Sequence, residues 1–325
     1  MREPPHQPRL TTPVEGHPPH RRIALGDPLL SMGSCFSEFI ARNLVESRLP
    51  CLVNPAGTLY HPLAMAALLE RILAGEPYRR EELFRHEGLW HSSGHHGSFS
   101  HPHREEALAG MNRALAEAVD LLPRCRWLLL TFGTAWGWFP AGKKEAPPVA
   151  NCHRLPAARF DRRLVPAGEI ERTWRTLAER LRAVNPELGI LFTVSPVRHR
   201  PSSPPENSLA KAELVIAVHR LTTSLGQADY FPAYEIMLDE LRDYRFYGPD
   251  LVHPDGTAQR ILMQRFVDNH LDDRAREFLA RMAAVRRDEN HRPRFPGTPA
   301  GTRFAEKLAA RREALRRDFP EVEWD

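Results

Sequence analysis

Two short apolar runs, residues 127–132 (Trp-Leu-Leu-Leu-Thr-Phe) and 189–194 (Gly-Ile-Leu-Phe-Thr-Val), limit the fold more than any other feature of the chain. Six residues are too few for a stable helix. The lack of polar alternation is wrong for a strand with one wet face, so each run reads as a strand covered on both sides. Strands of that kind belong to parallel sheets sheathed by helices. The helices are present in the pattern: residues 36–48, 105–122, 170–184, 209–225, 234–241 and 257–269, and a segment opening at Leu63, repeat apolar side chains at helical spacing. Weaker strand signals at 28–32, 51–54 and 228–231 complete an alternation of strand and helix. That alternation predicts an α/β protein, a three-layer α/β/α sandwich with a mostly parallel central sheet.

At 325 residues and 42% hydrophobic, the chain is long enough to bury a large core. Residues 1–22, dense in Pro, read as a flexible leader, 23–271 as the folded domain, and 272–325 as a charged helical extension. In that extension, helical stretches at 274–287 and 303–317 flank a Pro-rich 292–299, forming a C-terminal helical arm. No apolar run is long enough to span a bilayer and residues 1–22 lack a signal-peptide core, so no membrane span and a cytoplasmic location are expected. The net charge of +4 is scattered and no aromatics interleave with the basic residues, which argues against nucleic acid. Cys35, Cys51, Cys125 and Cys152 have no CxxC spacing and read as free thiols. Neither a Walker loop nor a GxGxxG occurs, and no motif requires a metal or other cofactor. His91, His95, His96, His101 and His103 are irregularly spaced among Gly and Ser, which fits a flexible solvated loop better than a metal site. Oligomeric state is not readable.

The chemistry-bearing residues sit in two distant pieces. Residues 28–32 lead through Gly33 into a helix, setting Ser34 and Cys35 over a helix N-terminus, where unpaired N–H groups favour an anion. Far downstream, Asp250 precedes His253 by three residues in a turn bounded by Gly248-Pro249 and Pro254. Nucleophile, general base and base-orienting carboxylate are thus all present, as covalent catalysis requires. A helix N-terminus and a nearby imidazole can also lower a Cys pKa enough to populate thiolate at neutral pH. Ser195, Arg198 and His199 follow the 189–194 strand and should lie at the carboxyl edge of the sheet, where such folds bind ligands; Arg198 suits an anionic group. The aromatic run 244–247 reads as packing around the His253 turn.

Residues 32–37, 54–62, 131–136, 151–153, 193–199 and 230–235, followed by 241–247 through Asp250 to His253, resemble the successive blocks of the GSCFA domain family over roughly residues 23–266. Ser37 stands where the naming Gly-Ser-Cys-Phe-Ala motif ends in Ala. GSCFA domains are similar to the SGNH (GDSL-like) hydrolases, which implies a flavodoxin-like sandwich with the nucleophile after the first strand and a DxxH near the end. Laid on Gly-Asp-Ser, Gly33-Ser34-Cys35 puts Cys35 at the attacking position, while a one-residue shift of the turn presents Ser34. The resemblance also implies Gly57 as an oxyanion donor. The third-block Asn is missing, since Gly133-Thr134-Ala135-Trp136 stands there, and Asn151 is the candidate substitute. Gly133, Thr134 and His153 join Ser195, Arg198 and His199 as candidate substrate-binding residues. The expected activity is an esterase acting on a small-molecule or carbohydrate acyl ester. The alternatives are an O-acyltransferase using the same acyl-enzyme, or a non-catalytic domain that binds a carbohydrate or protein.

Overall fold

The structure is a computed structural model in which residues 11–143, 145–291, 294–295 and 297–324 are described. Five strands form the central sheet: β1 (Leu29–Gly33), β2 (Cys51–Val53), β5 (Trp127–Phe132), β8 (Gly189–Val194) and β9 (Ala228–Phe231). Their order is β2-β1-β5-β8-β9, and every pairing is parallel. The two apolar runs are the sheet's centre, with all six residues of each buried.

Because side chains alternate across a strand, each strand feeds two cores. Leu30, Met32, Leu128, Leu130, Phe132, Ile190 and Phe192 enter one apolar cluster. There they meet α2 (Pro62–Ala74), α3 (Arg104–Leu121), α4 (Ala167–Val184) and α5 (Pro204–Ser224), which contribute Met65, Met111, Trp174 and Leu214. Leu29, Trp127, Leu129, Leu191 and Phe231 enter the other cluster. It is covered by α1 (Cys35–Glu46), α7 (Gly256–His270), α8 (Asp273–Asn290) and α9 (Pro299–Asp318), through Phe36, Ile40, Leu44, Phe266, Phe278 and Leu315. The protein is therefore a three-layer α/β/α sandwich. The C-terminal arm is helical as expected, and α8 and α9 are part of the second layer, with Phe278 and Phe319 fully buried in it.

Two hairpins lie outside the sheet: β3 (Leu83–His86) with β4 (Leu89–Ser92), and β6 (Trp136–Pro140) with β7 (Phe160–Leu164). The first corrects the reading of the histidine-rich segment as a flexible solvated loop. His91 is on β4, and both it and His95 are buried. The His91 ring packs on His153 and Phe84, and the His95 ring on Tyr78 and Phe99, so aromatic neighbours distant in sequence bury what looked polar. The helix expected at 234–241 is a single turn, α6 (Ala233–Glu235), continued by a π turn, Ile236–Glu240.

Of the proposed leader, residues 1–10 lie outside the described residues. The part that follows crosses the body on polar contacts: the Val14 N–H donates to Glu240 at 3.1 Å, and the His20 N–H to Asp229 at 3.0 Å.

The strand order reverses between β1 and β5, and the crevice beyond the carboxyl ends of those strands is where an open α/β sheet accepts a ligand. Gly33 closes β1 at that edge with φ +151°, and a Cβ there would sit 2.5 Å from the Thr131 carbonyl oxygen. Only glycine lets the chain pass this close to β5 and turn into α1.

Candidate active site

Cys35 is the first residue of α1, and Ser34 caps the helix without a side-chain hydrogen bond. The Ser34 hydroxyl instead points inward, donating to Ser195 Oγ at 3.1 Å, with Ser34 only 1% exposed. Cys35 turns outward: its Sγ lies 3.5 Å from His253 Nε2. His253 Nδ1 in turn donates to Asp250 Oδ2 at 2.6 Å. That bond leaves Nε2 as the acceptor facing the thiol, the tautomer a general base needs. Of the two candidate nucleophiles, Cys35 is the one joined to the base.

The His253 turn is rigidly built. Asp250 Oδ1 accepts the N–H groups of Val252 and His253, both at 3.0 Å, and the Gly248 N–H donates to the His253 carbonyl at 2.8 Å. Leu251 takes the left-handed conformation, φ +56°, between them. The His253 N–H, then its ring, then the Val252 N–H hold the Asp250 carboxyl well below the usual carboxylate range, so it is ionised throughout the working pH range. Tyr247 pairs with Pro254 in an isolated β-bridge and the Phe246 carbonyl accepts the Asp255 N–H, so the backbone of the aromatic run ties down the far side of this turn.

Burial pushes the Cys35 thiol up, opposed by the N–H groups of Phe36 and Cys35 and by the Lys211 charge. Desolvation thus outweighs the helix N-terminus, and the thiol pKa moves opposite to the lowering that a helix N-terminus and an imidazole can produce.

One of the two oxyanion candidates is corrected. The Gly57 N–H donates to the Asn54 carbonyl at 2.7 Å, closing a turn with φ +74° at Gly57, so it is already engaged. For Asn151, only its Oδ1 is engaged among the described residues: it accepts the His153 N–H at 2.7 Å, and the side-chain amide donor keeps its place as a candidate. What remains at the turn are the N–H groups of Cys35 and Phe36, which act on the sulfur. Beside them, Asn54 accepts the Gly33 N–H at 2.9 Å, while its Nδ2 is buried with no hydrogen-bond partner. Such an orphaned donor is rare and calls for an explanation.

The candidate substrate-binding residues divide. Gly133 and Thr134 donate their N–H groups to the Tyr60 carbonyl at 2.8 and 3.1 Å, and Ser195 is 1% exposed, so these three frame the crevice from within instead of lining it. His153 is buried against the β3–β4 hairpin, Nε2 donating to the Ser92 carbonyl at 2.8 Å. His199 stacks near Tyr60 with ring centroids 5.5 Å apart, and burial lowers its pKa to about 4. Arg198 is exposed and lines a cavity of about 200 Å³ with Met237, Leu238, Tyr244, Tyr247 and Leu251.

Two groups were missed from sequence. Arg200 reaches Asp250 Oδ2 at 3.6 Å, an ion pair no spacing rule announces. Lys211 is 3% exposed, its Nζ donating to the carbonyls of Gly133 at 2.7 Å and Ser195 at 2.6 Å. Its signal was present: it occupies an inward position of α5 together with Asn207, Ala210, Leu214, Ala217 and Leu221, where a lysine is out of place.

A groove of about 1070 Å³ starts at Cys35 and follows one face of α1 (Phe39, Arg42, Glu46) and of α7 (Gln259, Met263, Val267), with Arg287 of α8 on its far wall. Among the described residues no group of three or more His, Cys, Asp or Glu is arranged for a metal, and no helix is long and apolar enough to cross a membrane. All four cysteines are free.

Comparison with family models matches residues 28–266 to the one described as the GSCFA family. Comparison with curated proteins gives no match.

Proposed function

The chain belongs to the GSCFA family, and from that membership and the site geometry we propose that it is an acyl hydrolase of the SGNH type, with Cys35 as nucleophile. The observation that carries this reading is the continuous relay from Cys35 Sγ through His253 to Asp250, at 3.5 and 2.6 Å. His253 Nε2 takes the thiol proton as the sulfur attacks an ester carbonyl carbon, and the carbonyl π pair moves to oxygen. The N–H groups of Cys35 and Phe36 and the orphaned Asn54 Nδ2 are the donors for that oxyanion. Collapse of the intermediate expels the alcohol, which leaves with the proton from His253, and a thioester remains on Cys35. Water, deprotonated by His253, then releases the acid and the free thiol.

The His253 side chain is 47% exposed, which favours water as the acyl acceptor. An O-acyltransferase would have to keep water from this same imidazole. The groove along α1 and α7 is the route for the bulk of the substrate, because that cavity opens on Cys35.

Acid-quenched incubation with 4-nitrophenyl acetate, followed by peptide mapping, tests the reading. An acetyl group on Cys35, with nitrophenol released faster than by the Cys35→Ala variant, is the expected result. No adduct and no release above that variant would leave a non-catalytic binding domain instead.

A further inference from the structure

Lys211 is a buried amine the fold should not tolerate. Burying an ammonium without a counter-ion is expensive, and buried lysines are ordinarily paired with a carboxylate. No carboxylate pairs with Lys211 among the described residues: its partners are the Gly133 and Ser195 carbonyls, with the Tyr234 ring 5.8 Å away. Those carbonyls end β5 and β8 directly beneath the nucleophile turn. Ser195 also holds the Ser34 hydroxyl, and the Thr131 carbonyl, two residues before Gly133, takes the Ser34 N–H at 3.4 Å. The ammonium is thus fixed under the residue that precedes Cys35, with two of its three N–H groups engaged.

We infer that Lys211 is a positioning residue of the site, holding the ends of β5 and β8 and, in its protonated form, placing a positive charge beneath the turn that carries Cys35. This rests on Cys35 being the nucleophile. Burial lowers the Lys211 pKa to about 7 while Cys35 raises it, and Lys211 in turn lowers the Cys35 pKa against burial. The other titratable groups facing this pair are Glu38 on α1, His253, Tyr60, His199 and Tyr234. Lys211 is the enclosed amine beside them, 3% exposed. Proton loss from the thiol and proton retention on the amine therefore favour each other.

The test reads the thiol itself, with no ester present: the pH dependence of iodoacetamide alkylation at Cys35, followed by peptide mass, in wild type, Lys211→Gln and Lys211→Arg. Gln keeps a donor for the carbonyls and removes the charge. It is expected to slow alkylation about tenfold at a fixed pH below the thiol pKa, a shift of about one unit, while Arg retains much of the wild-type rate. An unshifted profile in a folded Lys211→Gln variant overturns the inference. Should that variant fail to fold, wild type blocked at Cys35 with methyl methanethiosulfonate gives an independent reading. By nitrogen-detected NMR the Lys211 pKa falls on blocking if the two groups are coupled, and an unchanged value refutes it. A missing acyl adduct with a normal coupling would sink the hydrolase reading alone.

Discussion

Replacing Cys35 by alanine is expected to remove esterase turnover by about 10⁴-fold or more, to the level left by binding and oxyanion donors alone. His253→Ala should fall to a similar level. The double variant should be no worse than either single one, because thiol and imidazole act as a unit. Ser34→Ala is the discriminating control: its hydroxyl is bonded to Ser195 and sealed from the crevice, so turnover should stay within about tenfold of wild type. Steady-state rates on 4-nitrophenyl acetate decide the matter. A Ser34→Ala protein as dead as Cys35→Ala, or a Cys35→Ala protein with wild-type rate, would show that the attacking atom has been misassigned. Because burial holds the Cys35 pKa up, the wild-type rate of alkylation should also climb with pH past neutrality instead of levelling off below it.

Lowering the pH from 7 to 5 is expected to destabilise the fold by several kcal/mol, through buried histidines outside the Cys35–His253–Asp250 relay. Burial drives His61 and His95 down to about 3 and His270 to about 4. Each is neutral in the folded chain and takes up a proton near pH 6.5 once unfolded. Their contribution is complete above that value and is lost as pH falls from 6.5 toward the folded pKa. At pH 5 the loss is about 2 kcal/mol per residue, so the three together approach the lower range of total domain stability. His61 adds a direct structural effect, since its Nδ1 accepts the Leu63 N–H and caps α2, a bond its protonation would break. Urea unfolding at pH 7, 6 and 5 measures this. A stability that is flat across that window, where few carboxylates titrate, would contradict it, and a His95→Gln variant should show a shallower slope than wild type.

The sandwich was legible because its central strands are written as uninterrupted apolar runs and its helices as periodic ones. The hairpins were not. β4 contains His91 and β6 contains Gly137 and Pro140, residues that signal loops locally and are pulled into strands by Phe84, Phe139 and the rings around them. At the site, His253 and Asp250 were readable because their spacing along the chain is itself the geometry. The choice between Ser34 and Cys35 was not, since it depends on where the turn ends. β1 continues to Gly33 and α1 opens at Cys35, which sends one side chain inward and the next outward. The misreading of Gly57 has a related cause: whether a donor is free depends on what the neighbouring backbone has already bonded. Lys211 was visible as an anomaly of pattern, but its partners are carbonyls on two other strands, which no one-dimensional spacing records.

The recognised domain stops at residue 266, yet the apolar cluster beneath α1 continues into Phe278, Leu315 and Phe319. A fragment trimmed to the family boundary would leave Phe36, Ile40, Leu44 and Trp127 without that cover, and should emerge from expression as insoluble material. Workable clones of this chain therefore have to run past the homology border, and the helix that carries Cys35 is what sets the minimum length.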